Sequence, residues 1–531
     1  MPTLTRRSLL AAAAAAGGAA ALHLGTRSAV AAPAPAREER RRAVVVGTGF
    51  GGAVAAARLA RAGVPALVLE RGVRWPVRPG GDTFPLMFSP DRRASWLTPG
   101  PVLTGSPPAV WKPWTGVLDR VRGIGMDVLC GAGVGGGSLV YHGMTMQPSA
   151  ETFAASMSAE LDFERFDRDH YRRVEAVLAP ATIPDDVLAH GRYRSSRQFL
   201  RRAEEAGTPG FRVPLPLDWD VVRRELRGEL PPSYSTGDVL YGANNGGRNT
   251  VDRTWLAEAE ATGLVEVAPL HRAADVERDR SGRWVVHTER IGTDGVVLER
   301  IRIVTDALFL AAGSAGTTRL LVKARAKGLV PDLPDGVGTR WGNNGDRIFA
   351  WTPVGESPGA LQGGPACVGV RDWSDPARAL TVIQAGVPFP VDVGTTSIIG
   401  YGIVEPRGEF RYDPVRDDAV LHWSQAYDAQ LTRDVTARIR RIVGGDLVTG
   451  LLNPTLDTTA FDTTTYHPLG GATIGDVCDA AGRVLGQRGL YVVDGALIPG
   501  STGACNPSMT VAALAEYALD GILGDDLGTV F

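Results

Sequence analysis

The sequence predicts a mixed α/β fold in which a Rossmann-like domain carries an inserted, mainly β-sheet domain. Strand and helix signals alternate in the N-terminal third, near residues 250–325 and again at the C-terminus. A glycine-rich turn at 47–52 joins an apolar strand to an alanine-rich helix. Residues 331–455 differ from this alternating pattern, because β-rich runs interrupted by Gly and Pro dominate there. Together these observations predict the fold class.

Length and composition indicate a large globular protein. The chain has 531 residues, of which 44% are apolar and 21% charged, as in proteins that bury a substantial core. The net charge of −2 provides no positive field for a polyanion, so we expect no nucleic-acid partner. The four cysteines form no Cys-x-x-Cys pair and the eight histidines show no metal-ligand spacing, so we also expect no metal site.

The N-terminus is typical of an export signal. Arg6 and Arg7 precede an Ala/Gly/Leu stretch at 9–24, and small residues at 29–31 offer a cleavage site. The stretch is short and weakly apolar for a bilayer crossing, which makes a membrane anchor the weaker alternative. We therefore expect a twin-arginine signal peptide at 1–31 and secretion of a protein that folds before export.

The first predicted strand and helix surround the glycine-rich turn. Residues 43–46 form an apolar strand and residues 53–62 an alanine-rich helix, so the order is strand, G-x-G-x-x-G, helix. Gly47 permits the tight turn, Gly49 lets a pyrophosphate approach the backbone, and Gly52 allows close packing of helix on strand. This pattern is typical of a dinucleotide-binding unit.

A carboxylate completes that unit. The second strand, at 66–69, ends in Glu70, which lies 23 residues after Gly47. A carboxylate at this place can accept hydrogen bonds from both ribose hydroxyls of an adenosine. The sequence therefore predicts a bound dinucleotide, with a purely structural turn as the alternative.

A second glycine cluster lacks the flanking strand and helix of another nucleotide-binding turn. We expect it to form a wall whose backbone approaches a flat ring such as an isoalloxazine, with a surface loop as the alternative. The residues of this wall are Gly133, Gly135, Gly136, Gly137 and Ser138.

Two later strands complete the nucleotide-binding part of the chain. Residues 306–313 form a strand that ends in small residues, before a helix that starts near Thr317. Residues 490–495 form another strand, and its Asp494-Gly495 turn leads towards the last helix.

The domain boundaries follow from these signals. We expect a Pro/Ala/Arg-rich linker at 32–42, a nucleotide-binding domain at 43–330 and 456–531, and a substrate-binding domain at 331–455. The inserted domain contains predicted strands at 379–387 and 396–404, and parts of 73–245 are expected to help cover the substrate cavity.

Six motifs make the chain similar to the glucose-methanol-choline (GMC) flavoprotein oxidoreductases, and within that family to the bacterial cholesterol oxidases that hold FAD non-covalently. The motifs are VVGTGFG at 45–51, GVLDRV at 116–121, GVGGGSLV at 133–140, YHPLGG at 466–471, LIPGS at 497–501 and NP at 506–507. They occur in family order along essentially the whole mature chain. The resemblance implies FAD, held at Gly47, Gly49, Gly52, Glu70, Gly133, Gly135, Gly136, Gly137, Ser138, Met144, Asp494 and Gly495.

The same motifs imply two catalytic residues. Taken alone, His467 fits a hydrogen-bonded structural role and Asn506 fits a helix N-cap. The resemblance places both above the flavin, where His467 accepts the proton of a substrate hydroxyl and Asn506 binds its oxygen. It implies oxidation of a secondary alcohol, a 3β-hydroxysteroid such as cholesterol, with oxygen reduced to hydrogen peroxide.

The chain departs from the family pattern at the isomerisation base. Cholesterol oxidases of this type carry a glutamate that moves the ring double bond, whereas residues 383–390 contain Gln384 and no carboxylate. Asp392 and Glu405 are alternative carboxylates, but neither matches the motif. We therefore expect steroid isomerisation to be weak or absent.

A second departure lies beside the flavin, where Tyr141-His142-Gly143-Met144 replaces the family's smaller Asn-Gly-Gly-Met. The bulkier pair is expected to reshape the pocket. Covalent attachment of flavin through His142 is an alternative that its motif position disfavours, so we expect non-covalent FAD.

Aromatic and aliphatic residues can line a sterol-sized cavity, although core packing explains them equally well. They are Trp75, Phe84, Met87, Phe88, Trp96, Trp111, Trp114, Phe389, Ile398, Ile399 and Tyr401.

The resemblance also sets the expected partners. We expect an apolar alcohol substrate, a sterol, together with molecular oxygen, acting on a monomer that is free to contact a membrane surface transiently. The first alternative is a secreted FAD-dependent dehydrogenase of another alcohol with a non-oxygen acceptor. A non-catalytic flavin-binding protein is the more distant alternative.

Overall fold

The computed structural model describes residues 36–78, 81–103, 106–452 and 463–531. The predicted signal peptide at 1–31 lies outside these residues. Within them, no helix is both long enough and apolar enough to cross a bilayer.

Strands and helices alternate along the described chain. The strands are β1 Ala36–Val46, β2 Ala66–Leu69, β3 Leu118–Val121, β4 Asp127–Gly131, β5 Gly210–Arg212, β6 Val265–Ala268, β7 His271–Arg278, β8 Trp284–Ile291, β9 Val297–Leu310, β10 Arg347–Thr352, β11 Val368–Asp372, β12 Leu380–Ala385, β13 Thr396–Gly402, β14 Glu409–Asp413, β15 Asp418–His422, β16 Leu447–Leu452, β17 Thr464–Thr465 and β18 Leu490–Val492.

The helices are α1 Phe50–Arg61, α2 Ala150–Ser156, α3 Phe163–Arg165, α4 Tyr171–Leu178, α5 Asp185–Ala189, α6 Arg194–Glu205, α7 Trp219–Leu226, α8 Trp255–Ala261, α9 Gly313–Ala326, α10 Ala429–Val443 and α11 Ser508–Asp525. A π-helical turn at Phe166–His170 joins α3 to α4. Short 3₁₀ turns lie at Gly136–Leu139, Gly191–Tyr193, Tyr234–Thr236, Pro376–Arg378, Gln425–Asp428 and Gly495–Leu497.

The first sheet has the order β6-β2-β1-β9-β8-β7, and β18 pairs with the end of β9. β6, β2, β1, β9 and β18 run parallel to their neighbours, whereas β8 pairs antiparallel with the first part of β9. The apolar ends of β1 and β9 are fully buried, as expected for the centre of a parallel sheet. The predicted mixed α/β class with a Rossmann-like unit is therefore confirmed.

The second sheet is antiparallel, in the order β16-β10-β13-β12-β11-β5. Five of its strands lie within the range 331–455 that the sequence assigns to the inserted domain. The sixth, β5, comes from a distant part of the chain and pairs with β11. Helix α10 packs against this sheet through a buried stripe that includes Leu431, Val435 and Ile439.

The predicted linker at 32–42 is wrong from residue 36 onwards, because residues 36–42 belong to β1. This charged segment pairs with β9 from Arg300 to Thr305. Its charged side chains form cross-strand ion pairs with β9, such as Glu38 with Arg302 at 2.8 Å, that let a polar strand extend the sheet into solvent.

Helix α9 begins at Gly313, four residues before the predicted start near Thr317. Gly313 has a φ of +76°, a left-handed conformation that turns the chain directly from the end of β9 into the helix.

Candidate active site

The turn between β1 and α1 leaves space beside the backbone. Gly47 has a φ of +106°, and a Cβ there would collide with the backbone of Ala311 next to the end of β9. At Gly49, in contrast, no described atom lies within 4 Å of the position of a Cβ. In the described chain no side chain caps α1, and its first turn contains no acidic residue. The amides at this helix end therefore remain available to an anion such as a pyrophosphate.

Glu70 lies at the end of β2 and ties the two glycine-rich segments together. Its carboxylate accepts hydrogen bonds from the Thr48 hydroxyl at 2.5 Å, the Gly72 amide at 2.9 Å and the Gly133 amide at 3.2 Å. Burial raises the pKa of Glu70, against the opposing effect of these hydrogen bonds. A buried acceptor thus stands where the sequence predicts a ribose contact.

The second glycine cluster lies directly against the first. A Cβ at Gly136 would lie 2.8 Å from the Cα of Gly49, so this close approach of the two turns requires glycine at position 136. The Ser138 hydroxyl donates to the carbonyl of Gly135 at 2.7 Å and accepts from the amide of Val251 at 3.1 Å. No described atom occupies the Cβ position at Gly137, so this wall also faces open space.

Asp494 and Gly495 follow β18 and lie beside the start of α1, where a Cβ on Gly51 would collide with the carbonyl of Val493. The Asp494 carboxylate accepts from the Thr317 hydroxyl at 2.6 Å and from the Ala496 amide at 2.8 Å. Burial raises the pKa of Asp494 to about 6. The predicted residues of the nucleotide-binding unit therefore converge on one region.

His467 is held by a carboxylate that sequence reasoning missed. It lies two residues after β17, which pairs with β4, and its side chain is 13% exposed. Its Nδ1 lies 2.7 Å from Oδ1 of Asp346, a fully buried residue. Oδ2 of Asp346 accepts from the backbone amides of Tyr466 and His467 and from the Thr465 hydroxyl. Because a carboxylate accepts, we assign the proton to Nδ1, which leaves Nε2 of His467 as a proton acceptor.

Asn506 has a different environment from the one expected for a substrate ligand. Its carboxamide nitrogen donates to the carbonyl of Met144 and to the Ser508 hydroxyl, the latter at 2.8 Å. Its oxygen accepts from the amide of Met146 at 3.3 Å. The structure thus brings Asn506 and Met144 together, and it uses both N–H groups of Asn506 within the protein.

The segment 342–347 positions both candidate catalytic residues. Besides Asp346, it supplies Asn344, whose oxygen accepts from the Thr502 amide at 3.1 Å and whose nitrogen donates to the carbonyl of Cys505 at 2.8 Å, one residue before Asn506. The signal in the sequence was the polar run Asn343-Asn344-Gly345-Asp346 immediately before a strand, which is unusual for a buried segment.

Gln384 is a buried structural residue. It accepts from the Ser196 hydroxyl at 2.7 Å and donates to the Thr396 hydroxyl at 2.9 Å. The alternative carboxylates Asp392 and Glu405 are exposed and pair with Ser357 and Arg407. None of the three supplies a buried proton acceptor in the described chain.

The aromatic residues predicted to line a cavity do not all meet. Trp75 stacks on Phe84 with ring centroids 5.3 Å apart and contacts Trp114 at 5.7 Å, within a small core cluster of its own. Phe88 and Phe389 instead contact each other at 5.0 Å, where the segment after Phe84 meets the segment after β12. Core packing therefore accounts for Trp75, Phe84 and Trp114 without a substrate cavity.

The residues present fit FAD. Open glycine positions, an uncapped helix end and a buried carboxylate lie together, and they match the pyrophosphate and ribose of a dinucleotide. Gly49, Glu70, Gly137 and Asp494 would be the residues to hold FAD here.

Comparisons with known proteins agree with this assignment. Residues 406–515 match the family model of GMC oxidoreductases, and residues 45–85 match that of NAD(P)-binding Rossmann-like domains. A cholesterol oxidase of Mycobacterium tuberculosis (strain CDC 1551 / Oshkosh) is 27% identical over 557 residues, which cover 90% of each chain. A cholesterol oxidase of Acinetobacter baumannii is 23% identical and covers 90% of this chain and 94% of its own.

A solved structure shares the fold. Pyridoxine 4-oxidase from Mesorbium loti matches with a TM-score of 0.63 and 17% identity, over 91% of this chain and 99% of its own. The matched family model and the length of the shared alignments make the chain similar to the GMC oxidoreductases, and together with the two touching glycine-rich turns they support an FAD-dependent alcohol oxidoreductase.

Proposed function

We propose that the protein oxidises a secondary alcohol, a 3β-hydroxysteroid of the cholesterol type, to the ketone, with oxygen reduced to hydrogen peroxide. The observation that carries the proposal is the hydrogen bond between Nδ1 of His467 and Asp346 at 2.7 Å, which leaves Nε2 to receive a proton. Alcohol oxidation needs such an acceptor near a two-electron cofactor.

The roles of the chain's own residues follow from this arrangement. FAD, when bound, supplies an isoalloxazine ring that accepts two electrons and the carbinol hydrogen. His467 takes the hydroxyl proton on Nε2, and Asp346 stabilises the imidazolium that results. The substrate carbon thereby becomes a carbonyl, and both of its lost hydrogens have an acceptor.

We further propose that steroid isomerisation is weak or absent. Gln384 cannot accept a proton at neutral pH, and its amide is already bonded to Ser196 and Thr396. A Δ5-3β-hydroxysteroid should therefore yield the unconjugated ketone first. Prompt appearance of the conjugated enone in the ultraviolet spectrum would refute this part of the proposal.

The decisive experiment is anaerobic mixing of the yellow protein with 3β-hydroxysteroids and with simpler alcohols, followed by air. Loss of the yellow colour with a sterol, and its return with hydrogen peroxide in air, is expected. Loss of colour with other alcohols only would indicate a different substrate class, and a colour that returns with a dye but not with air would indicate a dehydrogenase.

Export by the twin-arginine route is a separate proposal, supported by Arg6 and Arg7 in the N-terminal sequence. Replacing both by Lys should keep the FAD-loaded protein inside the cell. Unchanged secretion of the variant would contradict it.

A further inference from the structure

We propose that His142 binds the oxygen of the substrate alcohol beside His467, in the role that the family pattern assigns to Asn506. This inference rests on the proposed alcohol oxidation. It concerns which side chain donates a hydrogen bond to the reacting oxygen.

Asn506 has no hydrogen-bond donor left for a substrate. Both hydrogens of its carboxamide are given to the Met144 carbonyl and the Ser508 hydroxyl. The remaining lone pair on its oxygen could only accept a hydrogen bond, and it would then compete with His467 for the hydroxyl proton. Asn506 is also 2% exposed, which leaves little room for a substrate to displace either partner.

His142, in contrast, retains its full hydrogen-bonding capacity. Within the described residues, its half-buried imidazole makes no hydrogen bond and no ion pair. A neutral imidazole has one N–H donor and one acceptor nitrogen. A ligand oxygen is therefore a fitting partner for its N–H group.

His142 lies between the cofactor site and His467 along the chain's packing. The preceding residue, Tyr141, contacts Phe50 at the start of α1 with ring centroids 5.6 Å apart, on the side of the nucleotide-binding turn. Two residues later, the sulfur of Met144 lies 3.8 Å from the hydroxyl of Tyr401, whose ring is 6.3 Å from that of His467. His142 thus lies on the segment that leads from the cofactor site to His467.

The charge state of His142 suits a donor. Burial, together with the neighbouring His467 and Arg248, lowers the pKa of His142 to about 4. His142 therefore stays neutral at physiological pH and does not repel an imidazolium at His467. The two imidazoles have different roles: His467 accepts a proton and His142 donates a hydrogen bond.

The O–H bond breaks and its proton forms an N–H bond at Nε2 of His467, while the carbinol hydrogen leaves with its electron pair to the oxidant FAD. The C–O bond becomes a carbonyl, and the negative charge that develops on oxygen is stabilised by the N–H of His142.

The test uses the FAD-loaded protein with His142→Gly and His142→Asn, with His287→Asn as the matched control. His287 lies on β8 and pairs with Glu277 at 2.7 Å, away from the candidate active site. Two probes are used: dehydroepiandrosterone for the rate of anaerobic flavin reduction, and androst-4-ene-3,17-dione for binding, followed by the change in the visible flavin spectrum.

We expect His142→Gly to slow flavin reduction by about 10–100-fold and to weaken ketone binding by about tenfold, because one donor to the oxygen is lost. His142→Asn keeps a donor and should recover part of both losses. His287→Asn should match the wild type. FAD content and Tm should be unchanged in all three variants, which separates the role of His142 from a structural one.

Three results would overturn the inference. If the wild type is reduced by the steroid and His142→Gly matches it in rate and in ketone affinity, the inference fails while the proposed function stands. If the wild type is not reduced by any alcohol, the proposed function fails and the inference fails with it. If His142→Gly loses FAD, His142→Asn becomes the deciding variant. A flavin-reduction rate and a ketone affinity equal to those of the wild type would then refute the role of His142.

Discussion

Asp346 is the residue on which the geometry of His467 depends. It receives hydrogen bonds from three consecutive residues, Thr465, Tyr466 and His467, and both of its carboxylate oxygens take part. A buried carboxylate with donors on both oxygens has one low-energy orientation. The imidazole that it holds is therefore fixed in orientation and in tautomer before a substrate arrives.

Replacing His467 should remove the proton acceptor. We expect His467→Gln to slow anaerobic flavin reduction by about 10²–10⁴-fold, because a carboxamide cannot take the hydroxyl proton. Stopped-flow absorbance of the flavin measures the rate. A rate near that of the wild type would exclude His467 as the acceptor.

Replacing Asp346 by Asn should act through His467. If the new NH₂ group faces Nδ1 of His467, the imidazole must carry its proton on Nε2, and Nε2 can then no longer accept the substrate proton. If the NH₂ group instead replaces Oδ2, it faces the three groups that donate to Oδ2 in the wild type. We expect Asp346→Asn to lower the reduction rate by about 10²-fold or more.

Thr465→Val is the matched control for this variant. It removes one hydrogen bond to Oδ2 of Asp346 but leaves the bond to Nδ1 of His467, so its loss of rate should be much smaller. Equal losses in the two variants would show that Asp346 serves only to hold the segment together.

At the scale of elements, an ion cluster fastens α11 to α1 and α4. Asp520 accepts from Arg58 at 2.6 Å, Arg173 at 2.8 Å and His170 at 3.0 Å. Glu516, which is buried on the same helix, also pairs with Arg58. Since α11 begins two residues after Asn506, this cluster anchors the far end of the helix that starts at the active site.

The cluster predicts a pH-dependent stability. Burial acts to raise the pKa of Asp520, but hydrogen bonds from His170, Arg173 and Arg58 outweigh it and hold the pKa well below its usual value. A lowered folded-state pKa stabilises the protein above the ordinary value of 3.8, and this stabilisation is lost as the pH falls towards the folded-state pKa.

We therefore expect Asp520→Asn to lower the free energy of unfolding by about 1–2 kcal/mol at pH 7, because the partly exposed site is screened by solvent. The difference from the wild type should shrink below about pH 4. Urea unfolding between pH 7 and pH 3 measures it, with the exposed Asp220→Asn on α7 as control. A difference that does not change with pH would contradict the assignment.

At the scale of the molecule, the active site lies where the two sheets are joined. The segment 342–347 pairs with Leu469 through Gly342, contacts Gly500 through Asn344, and continues into β10 of the second sheet. Both candidate catalytic residues therefore depend on the second sheet being in place, although neither belongs to it.

Cofactor binding should stabilise the whole protein. A ligand present at 100 times its Kd adds about 2.7 kcal/mol to the folded state. With an unfolding entropy of roughly 2.1 cal/mol/K per residue, a chain of about 500 residues should gain about 3 °C in Tm. Differential scanning calorimetry of the apoprotein with and without FAD measures this, and an unchanged Tm in a colourless protein would contradict the cofactor assignment.

The sequence by itself determined the nucleotide-binding unit, since the buried strand residues 43–46, the turn at 47–52, the strand at 66–69 and Glu70 lie within thirty residues. It also identified His467 as the candidate base, through the motif that surrounds it. Local spacing is enough when the interacting groups are close along the chain.

Only the tertiary structure decided how the candidate site is completed. Asp346 lies 121 residues from His467, and Asn506 lies 362 residues from the Met144 carbonyl that takes one of its hydrogens. Such pairs depend on how the two sheets pack, which no local pattern encodes. The same holds for the charged residues at 36–42. Their composition is typical of a linker, and only their pairing with the distant β9 makes them part of a strand.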